Sequence, residues 1–189
     1  MSPTGDPAGR RRATSADAFT SAIAAAATGV TVVATDGRSG RFGQTVSAMC
    51  RVSVSPPLVL ACLHGRSPVS DAIRANGVFC VSVLGVQHDV VADTFAGRPW
   101  PGMKPWDFGC CRWEAAPSGS PRITDAVAAF DCDVRQVIPA GTHLIYLGQV
   151  QDVTTGAGVP LLYSARTYSR PEPFEPSAFA SDPTARQIC

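Results

Sequence analysis

Apolar residues recur at helical spacing over Phe19, Ala22, Ile23, Ala26 and Ala27, forming one face of a first helix. Thr14-Ser15-Ala16-Asp17 ahead of them has the pattern of a capping box, and Thr28-Gly29 supplies a stop with glycine as C-terminal cap. The period then shortens. Val30 to Thr35 is a β-branched run, Asp36-Gly37 opens a turn, and the chain returns through Arg41 to Val46 as a hairpin. Arg51 to Ser55 alternates as a third strand. After Pro56-Pro57 comes an unbroken apolar run, Leu58 to Leu63, which reads as a fully buried strand. Ser67-Pro68 starts a second helix, serine capping and proline at the first helical position, and Asn76-Gly77 ends it. Val78 to Leu84 is a further strand, and Gln87 to Phe95 a short helix closed near Gly97. Residues 97–122 form a long irregular excursion rich in Pro, Gly and Trp, of the kind found at functional sites and interfaces. Ala126 to Val137 and His143 to Val153 pair across a turn at Pro139-Ala140-Gly141, and Leu161 to Tyr168 is the last strand.

Short strands with few helices, and no alternating strand–helix rhythm, disfavour a Rossmann sheet. Neither GxGxxG nor a phosphate-binding loop occurs, and no internal repeat is visible. The expected fold is mainly β, a closed antiparallel barrel with peripheral helices. It occupies one domain, residues 14–170, between a disordered N-terminal tail, 1–13, and a loose C-terminal tail, 171–189.

Composition narrows the function classes. The chain has 189 residues, 45% of them apolar and only 16% charged, which is globular and leaves apolar surface for an oligomer interface. A net charge of +1 gives no pull toward nucleic acid or an anionic membrane. No apolar run reaches the roughly 18–20 residues of a membrane span. Arg10-Arg11-Arg12 before Ala18 to Ala34 has a faint likeness to an export signal, but Asp17 and interspersed Ser and Thr break the apolar stretch. Seven cysteines, an odd number without a CxxC pair, suit a reducing cytoplasm and no structural zinc. Adjacent Cys110 and Cys111 are expected as free thiols. Trp100, Trp106 and Trp113 are expected to pin the long loop or an interface, and His88 to be exposed.

Several local patterns, in order, resemble the short-chain NAD(P)H:flavin reductases, the reductase components of two-component flavin monooxygenases. They include Thr28 to Val33, Gly43 to Ser47, Pro56 to Leu60 and Ser67 at a helix start. Phe79 to Leu84 with Gln87, Phe95-Ala96, Gly119-Ser120-Pro121, Cys132, Gly141-Thr142-His143, and Pro160 to Tyr163 with Tyr168 follow. The resemblance implies an FMN-binding split β-barrel of Greek-key type, homodimeric, taking FMN or FAD and using NADH or NADPH as hydride donor. It places Thr45, Val46, Ser47 and Ala48 at the isoalloxazine edge, with Cys62 and Leu63 continuing that wall. His64 and Ser67 would face the phosphate, where a helix start favours an anion. Phe95 and Ala96 would close the pocket, and Arg166 and Tyr168 would meet the cofactor across the dimer.

His143 is the candidate catalytic residue, near the nicotinamide. The family pattern there is Gly-Asp-His, and Thr142 stands in place of the acid, so an orienter of the imidazole is expected to be missing. No metal site is implied. The implied reaction is hydride transfer to flavin, with reduced flavin passed to a separate monooxygenase. Two other readings stand on the same barrel: a flavoprotein that retains its flavin, and a non-catalytic binding protein.

Overall fold

The computed structural model describes residues 14–173, so the expectations for residues 1–13 and 174–189 lie outside the described residues. Helix α1 (Ala16–Ala25) is capped by Ser15, whose Oγ accepts from Ala18 N–H, so the cap falls one residue after Thr14. It ends at Ala26. The Thr28-Gly29 stop is instead strand β1 (Thr28–Gly29), drawn out of the helix by pairing with Tyr163 and Leu162.

The chain continues through β2 (Thr31–Thr35), β3 (Phe42–Val46), β4 (Met49–Val54) and β5 (Pro57–His64) to α2 (Pro68–Asn76). Gly77 closes α2 in the left-handed region at φ 78°, with its N–H on Ile73 C=O, as the Asn-Gly signal requires. β6 (Val78–Val83) leads through a 3₁₀ turn to α3 (Asp89–Phe95). The 97–122 excursion is not wholly irregular: it holds a 3₁₀ turn at Phe108–Cys110 and the hairpin β7 (Trp113–Ala115) with β8 (Pro121–Ile123). Two 13-residue strands follow, β9 (Ala128–Ala140) and β10 (His143–Thr155). Their turn is only Gly141-Thr142, because Pro139 lies within β9 opposite Leu144. The last expected strand is a small hairpin, β11 (Leu162–Ser164) and β12 (Thr167–Ser169), folded at Ala165-Arg166, both at positive φ.

The main sheet is antiparallel, with strand order β3-β2-β6-β9-β10-β5-β4. β3 and β4 are therefore the two ends of the ladder, yet only Ser47-Ala48 joins them. Three Cα steps span at most roughly 11 Å. The sheet must curl until its edges nearly meet, which makes a barrel split between β3 and β4 rather than one closed by hydrogen bonds. Its interior holds Val33, Val59, Ala61, Leu63, Phe79, Val81 and Tyr146, with α2 packed on through Val69 and Ile73. A second cluster under α3 joins Val32, Leu84, Val91, Phe95, Ile123 and Leu161.

Candidate functional site

β3 leaves the Asp36-Gly37 turn and runs toward the barrel split, between the start of α2 and the end of α3. Between these elements and the 97–112 loop lies a cavity of about 550 Å³. Its apolar walls are Phe42, Phe95, Trp106 and Phe108 with Pro68 and Val69; its polar groups are Arg41, Gln44, Thr45 and Ser67. Phe95 is fully buried and meets Phe108 edge-on at 5.0 Å and Trp113 at 5.4 Å. The Arg41 guanidinium sits 5.5 Å above the Phe108 ring, a cation–π contact on the cavity rim. Gly43 is required here by close approach: a Cβ would lie 2.8 Å from Phe95 Cε1.

Two hydrogen bonds fix the polar side. Thr45 Oγ1 donates to Ala92 C=O at 2.8 Å and ties β3 to α3. Ser67 occupies the position before α2 but does not cap it; its hydroxyl donates to Gln44 Oε1 across the cavity floor. The expected serine cap is thus replaced by a link between β3 and α2.

Beyond Thr45 the strand buries Val46 and then exposes Ser47 and Ala48. Cys62 N–H donates to Ala48 C=O at 2.9 Å, so this two-residue link runs beside Cys62 and the buried Leu63. His64 ends β5 directly opposite His143, which begins β10, with ring centroids 5.3 Å apart and near perpendicular. Arg66 N–H donates to His64 Nδ1 at 3.2 Å, so a neutral His64 carries its proton on Nε2. Thr142 Oγ1 lies 2.9 Å from His143 Nδ1. The imidazole therefore has its orienter: a hydroxyl fills the place where the acid was expected to be missed. Gly65 N–H, donating to Thr142 C=O at 3.0 Å, holds the β9–β10 turn against the α2 loop.

The structure thus gathers Thr45, Ser67, Phe95 and Ala96 around one cavity and sets His64 beside His143, while Val46, Ser47, Ala48, Cys62 and Leu63 lie outside the cavity lining, at the end of β3, on the β3–β4 link and on β5. Arg166 and Tyr168 are not on that cavity. Arg166 is at the exposed β11–β12 turn. The Tyr168 hydroxyl donates to Asp93 at 2.9 Å, and burial together with that carboxylate pushes the phenol up to about 12. Trp100 Nε1 donates to the same carboxylate, so this tryptophan pins the loop as expected, whereas Trp106 lines the cavity. His88, expected on the surface, is 4% exposed: Nδ1 accepts from Gly85 N–H and Nε2 bonds Asp125. Sequence reasoning missed Arg41, Phe42, Gln44, Val69 and Phe108. The alternation of β3, which brings Phe42 and Gln44 to the same side, was the available signal. Among the described residues no group of three His, Cys, Asp or Glu side chains could hold a metal ion.

The donor set fits a flat ring carrying a phosphate. Four aromatic walls suit a planar heterocycle. Arg41, Ser67 and the start of α2 supply a cation, a hydroxyl and a helix dipole for an anion. Residues 23–172 match the flavin reductase like domain family. An FMN reductase (NADH) RutF of Ancylobacter novellus is 36% identical over 169 residues, 89% of this chain and 92% of that protein. The NADH:FAD oxidoreductase SgcE6 of Streptomyces globisporus C-1027 superposes with a TM-score of 0.74 at 31% identity, over 92% of this chain and 99% of that one. The styrene monooxygenase flavin reductase of Pseudomonas putida S12 does so at 0.72 and 27% identity, over 82% and 99%.

Proposed function

The chain belongs to the flavin reductase like family and is a flavin reductase, and we propose that it uses NADH to reduce FMN for a separate monooxygenase. The observation that carries the reading is the aromatic cavity between β3, the start of α2, the end of α3 and the 97–112 loop. When both are bound, nicotinamide and flavin supply the chemistry themselves, a hydride passing between them. The chain's residues bind and orient. Phe42, Phe95, Trp106 and Phe108 exclude water from a planar ring, and Ser67 with Arg41 takes the phosphate. The exposed backbone of Ser47 and Ala48, beside Cys62 and Leu63, offers donors where negative charge develops on a ring edge. His143, held by Thr142, orients the electron donor.

FMN leads because the curated relatives carry that name, while the aromatic wall also admits FAD, as the SgcE6 likeness indicates. NADPH is the alternative donor. We place the protein in a reducing cytoplasm, on six free cysteines among the described residues, and as a homodimer. Among those residues no helix is long and apolar enough to cross a membrane.

Purified protein should bind FMN and oxidise NADH only when flavin is added. Riboflavin should bind at least about tenfold more weakly than FMN, the effect of losing one charge-assisted hydrogen bond. Equal affinity would remove the phosphate role of Ser67 and Arg41. No NADH oxidation with FMN or FAD would leave a binding protein.

A further inference from the structure

Cys110 and Cys111 are neighbours on the one loop that walls the cavity, and flavin binding and hydride transfer use neither. Both are half-buried and pack against the cluster that contains Phe95. Cys110 closes the 3₁₀ turn Phe108–Cys110, which Asp107 caps through its carboxylate on Gly109 N–H at 2.8 Å. Phe108, two residues before, is wedged between Phe95 and Trp113 and faces the cavity. The neighbouring Cys111 side chain draws the Cys110 thiol below its ordinary value against burial and Asp107, whereas Cys110 and burial push Cys111 up. Of the two sulfurs, Cys110 is the more readily ionised and so the better nucleophile.

We propose that Cys110 and Cys111 form a peroxide-oxidisable dithiol whose ring closure displaces the Phe108 wall and weakens flavin binding. The oxidant is hydrogen peroxide, which reduced flavin released into aerated solution makes from dioxygen. Cys110 Sγ attacks one peroxide oxygen while its proton passes to the other; the O–O bond breaks, an S–O bond forms, and water leaves. Cys111 Sγ then attacks Cys110 Sγ; the S–O bond breaks and an S–S bond forms. The departing hydroxide takes the Cys111 proton as water. Two thiols and one peroxide give one disulfide and two waters.

Adjacent Cα atoms stand about 3.8 Å apart. Disulfides ordinarily bridge Cα atoms about 4.4–6.8 Å apart. The bond is therefore strained and readily reduced, as a reversible device requires. Closing the ring also forces new dihedrals on Cys111, now extended at φ −155° and ψ −179°, and on the turn that carries Phe108. A reductase that outruns its consumer would in this way lower its own flavin occupancy.

The oxidant and the binding readout rest on the flavin reductase reading; the mass readout does not. The protein is treated with a small excess of hydrogen peroxide, alkylated and digested. The peptide holding Cys110 and Cys111 should be lighter by two hydrogens and refuse alkylation until dithiothreitol is added, while the exposed Cys50 still alkylates. FMN affinity, read by flavin fluorescence, should fall by about tenfold, the equivalent of one lost aromatic contact, and return with dithiothreitol. Cys111→Ser should stop at a Cys110 sulfenic acid that dimedone traps, and keep its FMN affinity. Free thiols after treatment would overturn the proposal. So would a bridge that leaves FMN affinity unchanged, or an equal loss of affinity in Cys111→Ser. Failure of untreated protein to bind FMN would instead overturn the functional reading, and the mass result alone would then decide the dithiol.

Discussion

His143 stands at the first position of β10, immediately after a two-residue turn, so its backbone is fixed by ladder pairing with His64 and Ala140. Only the ring remains to be oriented, and Thr142 Oγ1 does this at 2.9 Å. His143→Ala should leave FMN affinity within a few-fold while lowering kcat/KM for NADH by about tenfold or more, roughly 1.4 kcal/mol of transition-state stabilisation. Thr142→Val, nearly the same shape without the hydroxyl, should move the rate the same way, and Thr142→Ser should keep it. A His143→Ala protein reducing FMN at the parent rate would make the histidine structural. Gly43 carries a second residue-scale expectation. A methyl there meets Phe95, which Phe108 and Trp113 already hold from two sides. Gly43→Ala should cost about 1–3 kcal/mol in denaturant melts, the usual range for overpacking, and weaken FMN binding as the wall shifts.

At the scale of elements, the entry to α3 depends on one hydrogen-bonded latch. Buried His88 holds Gly85 N–H on one side and Asp125, from the loop between β8 and β9, on the other. Burial raises the Asp125 carboxyl, but the hydrogen bond from His88 outweighs it and holds the carboxyl below its ordinary value. A depressed folded-state pKa gives stability that is fully present above the unfolded value and is lost as pH falls through the folded one. The Tm advantage of the parent over Asp125→Asn should therefore hold above about pH 5 and shrink toward about pH 3. An advantage that does not change with pH would assign the latch to packing. Elements with local signals were legible in the chain: α2 from Ser67-Pro68 to Asn76-Gly77, the β2–β3 hairpin, and the β5 run. Thr45, Ser67, Phe95 and Ala96 were legible with them, because they ride on those elements. What sequence reasoning missed depends on partners distant in the chain. His88 is buried by Asp125, 37 positions on, and Tyr168 is drawn to Asp93, 75 positions back. Phe108 and Trp106 reach the cavity only by the packing of a long loop.

For the whole molecule, β5 poses the main remaining question. Its unbroken apolar run called for a strand buried on both faces. Within one chain only Val59, Ala61 and Leu63 enter the core; Leu58, Leu60 and Cys62 stay half-buried on the outer side. There they lie beside Ile145 and Leu147 of β10, the register partners of Cys62 and Leu60. Val54 on β4 is 71% exposed, and Phe19 and Ile23 on α1 are 62% and 58% exposed. An apolar outer face with so little charge in the chain is the surface a second copy would cover. Light scattering at micromolar concentration should return twice the 19.7 kDa chain mass. Leu60→Glu points its charge away from the core, so it should keep the fold yet shift the protein toward monomer. Because Cys62, two residues on, borders the Ser47-Ala48 link, that monomer should also bind FMN more weakly. A parent protein that runs as a monomer and still binds FMN would show that the outer face of β5 serves no subunit contact.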